Sequence, residues 1–192
     1  MKIGAVICTR NDNYGGNLNE RATYCLNSMI DTLDQVILVD WNSPTHALLY
    51  DIQQNINFKG NLKHIVISPE IASILTNNDI NAQKCCEVLS RNLGIRRLIN
   101  DMDWVISTNI DIIAPKRKDL ENRIKELDDN TFYTISRRDT ELSIIKDFHM
   151  SDKCNFDEWK LLRDYLIENS QPRHREEKTV DGDDYSLINC LS

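Results

Sequence analysis

The chain has no Cys-x-x-Cys spacing among its six cysteines, no apolar run long enough to cross a bilayer, no internal repeat and no low-complexity tract. It also lacks a basic excess: 23 Lys and Arg stand against 30 Asp and Glu, a formal net charge of -7. Each absence excludes something. Cys8, Cys25, Cys85, Cys86, Cys154 and Cys190 mostly sit among apolar neighbours, as buried free thiols do, which points to a reducing, cytoplasmic compartment. No segment offers the roughly 20 apolar residues of a transmembrane helix. The opening Met1-Lys2-Ile3-Gly4-Ala5-Val6-Ile7-Cys8 is too short, and too soon followed by Arg10 and Asp12, for a secretory signal. The acidic balance argues against a nucleic-acid partner, because nonspecific binding rests on Lys and Arg neutralising phosphates. A metal can still bring a phosphate ligand to an acidic site.

What is present is an ordinary globular balance, 41% hydrophobic and 28% charged over 192 residues, enough for one domain with its own core. Short Val/Ile-rich runs alternate with helical stripes, which predicts an α/β fold with a mainly parallel sheet flanked by helices on both faces. The predicted strands cover residues 3–8, 35–40, 63–67, 104–107 and 132–136. Between the first two, Asn17 reads as a helix cap with Glu20 closing the box, followed by Leu18, Ala22, Cys25, Leu26, Met29, Ile30 and Leu33 at helical spacing. A long helix is predicted over 82–100, with two apolar stripes that imply burial on two sides, and shorter ones over 118–127 and 156–168. Segment 169–179 reads as a polar surface loop. The apolar Leu187, Ile188, Cys190 and Leu191 leave two readings, a tail packed into the core or a chain cut from a longer protein.

Four clusters carry candidate chemistry. The first predicted strand ends in Cys8-Thr9-Arg10-Asn11-Asp12 and the second in Val39-Asp40-Trp41-Asn42-Ser43-Pro44. In an open parallel sheet both ends face the crevice where ligands bind. Asp40 there accepts from a base or ribose, or else serves as a turn or cap aspartate. The third cluster is Ser90-Arg91-Asn92-Leu93-Gly94-Ile95-Arg96, where a mid-helix glycine signals close approach to the sheet, while an arginine alone reads as a solvated face. The fourth is Ser107-Thr108-Asn109-Ile110-Asp111. On extended backbone Asn109 and Asp111 project to one side, so two oxygen donors would face one Mn2+ or Mg2+ ion; alternatively the segment is a polar turn.

In this order the four clusters resemble the GT-A type glycosyltransferases, above all the large inverting family that builds polysaccharides. The resemblance covers roughly the first 140 residues. It implies a single domain, 1–192, with a nucleotide-sugar donor part (1–111) and an acceptor-side part (112–192). It further implies that Thr9, Arg10 and Asp12 line the nucleotide pocket, with Asp40 and Asn42 beside the base, and that Arg91 sits near the donor's phosphates or sugar. Asp111 would bind the metal and Asn109 the sugar, the ribose or the metal through water. The family's first motif carboxylate is here the amide of Asn109, which weakens attraction for a dication. The expected donor is a UDP- or GDP-sugar, and the expected acceptor a glycan, lipid or protein hydroxyl.

Inverting transfer also needs a base on the acceptor side. Asp183 and Asp184 in Val180-Asp181-Gly182-Asp183-Asp184-Tyr185 are the candidates, beside a solvated acidic turn and a base lying beyond Ser192. Arg137, in Ser136-Arg137-Arg138-Asp139, is read as touching acceptor or phosphate from the end of a strand on the same sheet edge, or as part of a surface salt-bridge patch. His149 is read as reaching the phosphates or metal from a loop that also carries Asp147, Asp152 and Cys154, in no zinc-like spacing. Two competing readings stand: a sugar nucleotidylyltransferase, disfavoured because no lysine follows Tyr14-Gly15-Gly16-Asn17 closely, and a degenerate nucleotide-sugar-binding domain without turnover.

Overall fold

A computed structural model of the chain describes residues 1–79, 84, 86–128 and 131–133, together with the backbone of the strands Arg137–Glu141, Gln171–Pro172 and Leu187–Leu191. Its first half is a four-stranded parallel sheet. The strands are β1 (Ile3–Thr9), β2 (Gln35–Trp41), β3 (Leu62–Ile67) and β4 (Trp104–Asn109), in the order β3-β2-β1-β4. Every residue of β1 is buried, as are six of the seven in β2, because these central strands are covered on both faces; that explains their unbroken apolar runs. At the edge, β3 mixes exposed and part-buried residues.

The connections decide where the helices lie. From β1 the chain passes through α1 (Leu18–Thr32) to β2, and through α2 (Leu48–Ile52) to β3. It then reverses direction across the sheet, through α3 (Pro69–Leu75) and α4 (Glu87–Leu98), to place β4 on the far side of β1. Because such crossovers are right-handed, the reversal puts the two helix pairs on opposite faces. One core accordingly joins Ile3, Ala5, Ile7, Val36 and Leu38 to α1 and α2; the other joins Val6, Ile37, Val39 and Trp41 to Ala72 of α3 and Leu98 of α4. The fold is the α/β class that the sequence pattern predicts.

After β4 a short turn leads to β5 (Ile112–Ile113) and α5 (Arg117–Ile124), whose Leu120 and Ile124 extend the α1 core. β5 opens a second sheet, completed by β6 (Arg137–Glu141), β7 (Gln171–Pro172) and β8 (Leu187–Leu191) in the order β5-β8-β6-β7. The apolar tail is thus an inner strand. Of the strand expected over 132–136, residues 134–136 lie outside the described residues and Phe132 is 88% exposed; the described strand is Arg137–Glu141, where β8 supplies a parallel partner. Gln171–Pro172, within the expected loop 169–179, pairs at the sheet's edge, where a proline costs no ladder hydrogen bond. The helix expected over 156–168 lies outside the described residues.

Two local expectations are corrected, and two helices are added. Asn17 has a left-handed backbone (φ 48°) and makes no side-chain cap; Asn13 Oδ1 accepts the Leu18 N–H instead, at 3.1 Å. The helix expected over 82–100 is described over Glu87–Leu98, and its two stripes share one core instead of two: Leu98 is buried there with Leu89, Leu93 and Ile95 packed against it, while Ile99 faces outward. α2 and α3 have no counterpart in the predicted elements; Ser68 caps α3 by accepting from Ile71 N–H, and Pro69 takes the first turn, where its missing donor costs nothing.

At the amino end of the sheet Arg117 donates to Asp34 Oδ2 (2.8 Å), the Met1 carbonyl (2.8 Å) and Glu121 Oε1 (2.7 Å). Burial pushes the Asp34 carboxyl up, but the Ile3 N–H and Arg117 outweigh it and hold it below the usual carboxylate range.

Gly94 is where α4 touches β1. A Cβ built there would stand 2.9 Å from Val6 Cγ2 and closer still to Cγ1. Gly94→Ala is therefore expected to destabilise: overpacking costs about 1–3 kcal/mol, more than the helix-propensity gain of about 1 kcal/mol. Urea denaturation measures it, with Val6→Ala restoring part of the loss; a Gly94→Ala protein as stable as wild type would contradict this packing.

Candidate functional site

The carboxyl ends of β1 and β4 meet at the point where the chain reverses across the sheet, the place where the loops of open parallel sheets part and ligands bind. At its centre is the end of β1. Thr9 is buried, and its hydroxyl makes no hydrogen bond among the described residues. Arg10 follows, its Nη1 donating to the Lys84 carbonyl ahead of α4 and its Nε lying 3.5 Å from Asp12 Oδ2. Asp12 Oδ1 accepts the Tyr14 N–H at 3.2 Å, which closes the loop on itself.

Arg21, which the sequence reading passed over, organises one wall. It is only 4% exposed, in the first turn of α1. Its Nε donates to the Gly16 carbonyl (3.0 Å), its Nη2 to the Tyr14 carbonyl, and its Nη1 to Asp111 Oδ2 (3.3 Å). The loop turns its carbonyls inward because Gly15 and Gly16 take φ of 71° and 72°, a conformation other residues adopt only with strain. A signal was there to find: Arg21 stands three residues after Leu18 and four before Cys25, on the apolar stripe of α1. A charge on that stripe must be paired inside the fold.

Arg91 organises the other wall. From α4 it donates to Asn109 Oδ1 (2.6 Å) and Ser107 Oγ (2.8 Å), and it pairs with Glu87 at 3.0 Å. The sequence-predicted Arg91 and Asn109 are thus in direct contact. Asn109 and Asp111 are not a matched pair of oxygen donors. The chain turns at Ile110-Asp111, so the side-to-side alternation of a strand ends at Asn109. Asn109 is held by the helix on one face of the sheet and Asp111 by the helix on the other.

Asp40 also requires correction. It is fully buried, its Oδ1 accepting from the Ser43 hydroxyl and its Oδ2 from the Leu48 N–H at 2.6 Å, so it fixes the loop into α2 rather than facing the crevice. His64 Nε2 lies 3.9 Å from the same carboxylate. Ser43 in turn accepts the Asn11 N–H (2.8 Å), and the Asn11 amide donates to Asp51 Oδ2 (2.8 Å) and the His46 carbonyl (3.2 Å). This chain joins the loops after β1 and β2. Asn42, at φ 49°, ends β2 with its N–H on the Ile67 carbonyl.

Arg137 lies in β6 of the second sheet, not at the end of a strand of the first. His149, Asp183 and Asp184 lie outside the described residues. Among the described residues no three His, Cys, Asp or Glu side chains group to hold a metal, and no helix is long and apolar enough to cross a membrane.

No family model and no curated protein matches the chain. Similar solved structures include S. aureus TarS 1-349, at 16% identity and a TM-score of 0.42, matched over 100% of this chain and 58% of that one. Mouse xyloside xylosyltransferase 1, in its apo form, is similar at 10% identity and a TM-score of 0.39 over 71% and 52% of the two chains. The galactosyltransferase LgtC, in complex with donor and acceptor sugar analogs, is similar at 15% identity and 0.36 over 84% and 60%. The chain spans a little over half the length of each.

The Asn11 amide, and then His46, hold the Asp51 carboxyl below its usual range. A lowered carboxyl stabilises the fold fully above its unfolded value, about 4, and loses that contribution as pH falls through the lower folded value. The stability gap between wild type and Asp51→Asn should therefore be largest near neutral pH and shrink in acid. Melting curves across that range measure it, and a gap independent of pH would show that the charge of the carboxyl contributes nothing.

Proposed function

We propose that the chain is a GT-A type glycosyltransferase domain that moves a sugar of hexosyl type from a UDP- or GDP-sugar to a glycan, lipid or protein hydroxyl, with inversion. The observation that carries this reading is the set of groups at the end of the sheet where its strand order reverses: three arginines, Arg10, Arg21 and Arg91, each paired with a carboxylate, Asp12, Asp111 and Glu87 respectively. Open parallel sheets take ligands there, and guanidinium groups match phosphate oxygens in both charge and geometry. The order of the four motifs along the chain supports the same reading.

In this reading Arg91 and Arg10 meet the diphosphate. Arg91 is aimed by Ser107 and Asn109, and its pair with the exposed Glu87 is the contact it gives up at least cost when phosphate arrives. Thr9, whose buried hydroxyl has no partner among the described residues, is assigned to the nucleoside together with Asp12 and Asn42. Asp40 acts on the base only through the loop it fixes.

Mn2+ or Mg2+ fits Asp111 in a minimal form. Hard cations that act on diphosphates take one or two protein carboxylates and complete their shell with phosphate oxygens and water. Asp111 supplies one carboxylate; the Asn109 carbonyl oxygen is already occupied by Arg91. When bound, such an ion stabilises the charge growing on the departing diphosphate. The proton of the attacking hydroxyl is assigned to Asp183 or Asp184, with Arg137 on the acceptor side and His149 at the phosphates or metal. The Arg91–Asn109 bond also favours one rival, a donor-binding domain without turnover, because it ties up the first position of the metal motif.

A thermal-shift panel of nucleoside diphosphates and their sugars, with and without Mn2+, on wild type and Asp111→Ala, tests the proposal. Ligands that bind only the native state raise its melting temperature. The expected result is stabilisation of several degrees by one nucleotide class with Mn2+, lost in Asp111→Ala. No stabilisation by any nucleotide would count against a transferase. Binding without slow hydrolysis of the matching donor sugar would leave the rival reading.

A further inference from the structure

The Arg21–Asp111 pair raises a question that the transferase reading leaves open: why the carboxylate assigned to a cation is already matched with one. The pair lies at 3.3 Å, and the two side chains are 5% and 21% exposed. Arg21 is not free to leave. Its other nitrogens donate to the Tyr14 and Gly16 carbonyls, and a Cβ at Gly15 would stand 3.2 Å from Nη2, so the loop is closed tightly around the guanidinium. Swinging it out would strand two inward carbonyls and break a fully built cradle.

From this we infer that Arg21 is a positioning residue that keeps Asp111 from holding a divalent cation alone, so that the cation enters only together with the anionic oxygens of a diphosphate. The inference rests on the proposed donor site. A carboxylate whose charge is neutralised by a fixed guanidinium attracts a dication weakly, and the guanidinium repels that dication in a setting where water screens little. Among the described residues no group of three His, Cys, Asp or Glu side chains gathers to offset the repulsion. A diphosphate brings the missing negative charge and most of the missing oxygen ligands at once. Arg21 thus makes metal occupancy conditional on the nucleotide, and it aims Asp111 Oδ1 by holding Oδ2.

The test is Mn2+ binding, read by the electron paramagnetic resonance signal of the free ion, with no turnover involved. In the wild-type chain Mn2+ alone is expected to bind at least about tenfold more weakly than in the presence of saturating UDP or GDP. Arg21→Gln, which keeps an amide donor for the loop carbonyls but removes the charge, is expected to bind Mn2+ alone about tenfold or more tighter than wild type. Adding Asp111→Asn to Arg21→Gln should abolish that gain. Arg21→Lys, which retains the charge, should stay near wild type.

Equal Mn2+ affinity in wild type with and without a nucleotide that binds would overturn the inference while leaving the transferase reading intact. So would an Arg21→Lys gain as large as that of Arg21→Gln, which would mean that loop geometry and not charge controls the site. If no nucleotide binds, the transferase reading fails, and the Mn2+ affinities of the Arg21 variants still decide what Arg21 does. Circular dichroism confirms that each variant is folded, and the wild-type comparison needs no variant.

Discussion

A buried guanidinium sets the terms for the crevice. Bringing Arg21 into the fold costs several kcal/mol of lost hydration, which only good geometry and a full set of acceptors can offset. The three acceptors come from separate places: two carbonyls from the loop after β1, and a carboxylate from the turn after β4, 90 residues away in sequence. That requirement explains the glycine pair at 15 and 16, the left-handed Asn17 before α1, and the inward position of Asp111. It also removes an ambiguity of the sequence. A glycine-containing loop after a first strand suggests a phosphate cradle built from N–H groups, whereas here the loop turns two carbonyls toward a cation of its own chain.

The two ends of the parallel sheet are built differently. At the amino end, Arg117 ties the Met1 carbonyl, Asp34 and Glu121 together, and Asp34 also caps the start of β1 through the Ile3 N–H. These contacts join neighbouring elements across that end of the sheet. At the carboxyl end, the reversal of strand order parts the loops, and the polar groups there are aimed by other polar groups: Arg91 by Ser107 and Asn109, Asn11 by Ser43, Asp111 by Arg21. Oriented charges beside an opening are what a ligand of opposite charge can use with little reorganisation.

The sheet could be read from the sequence because burial on two faces leaves unbroken apolar runs. β1 and β2 are such runs, and their predicted ends fall within a residue of the observed ones. Gly94 carried its own signal, since a helix tolerates that residue only where something comes close, and Val6 does. The site was read less well, for a reason visible in Asp40 and Asn109. Strand position told which residues reach the crevice end of the sheet, but not which partner each would choose. Ser43 and the Leu48 N–H took Asp40, and Arg91 took Asn109 from across the α4 interface. Arg21 was legible and missed, because its neighbours on the helix stripe drew attention to packing instead of to the one charge among them.

Where the ligand binds can be observed residue by residue, by following backbone amide chemical shifts in solution as UDP or GDP is titrated in with Mn2+. A nucleoside diphosphate held at the reversal point should move Thr9–Asp12 and Ser107–Asp111 and leave Ile3, Asp34 and Arg117, at the other end of the sheet, unchanged. Shifts concentrated at that far end, or none at saturating nucleotide, would contradict the assignment of this crevice as a donor site.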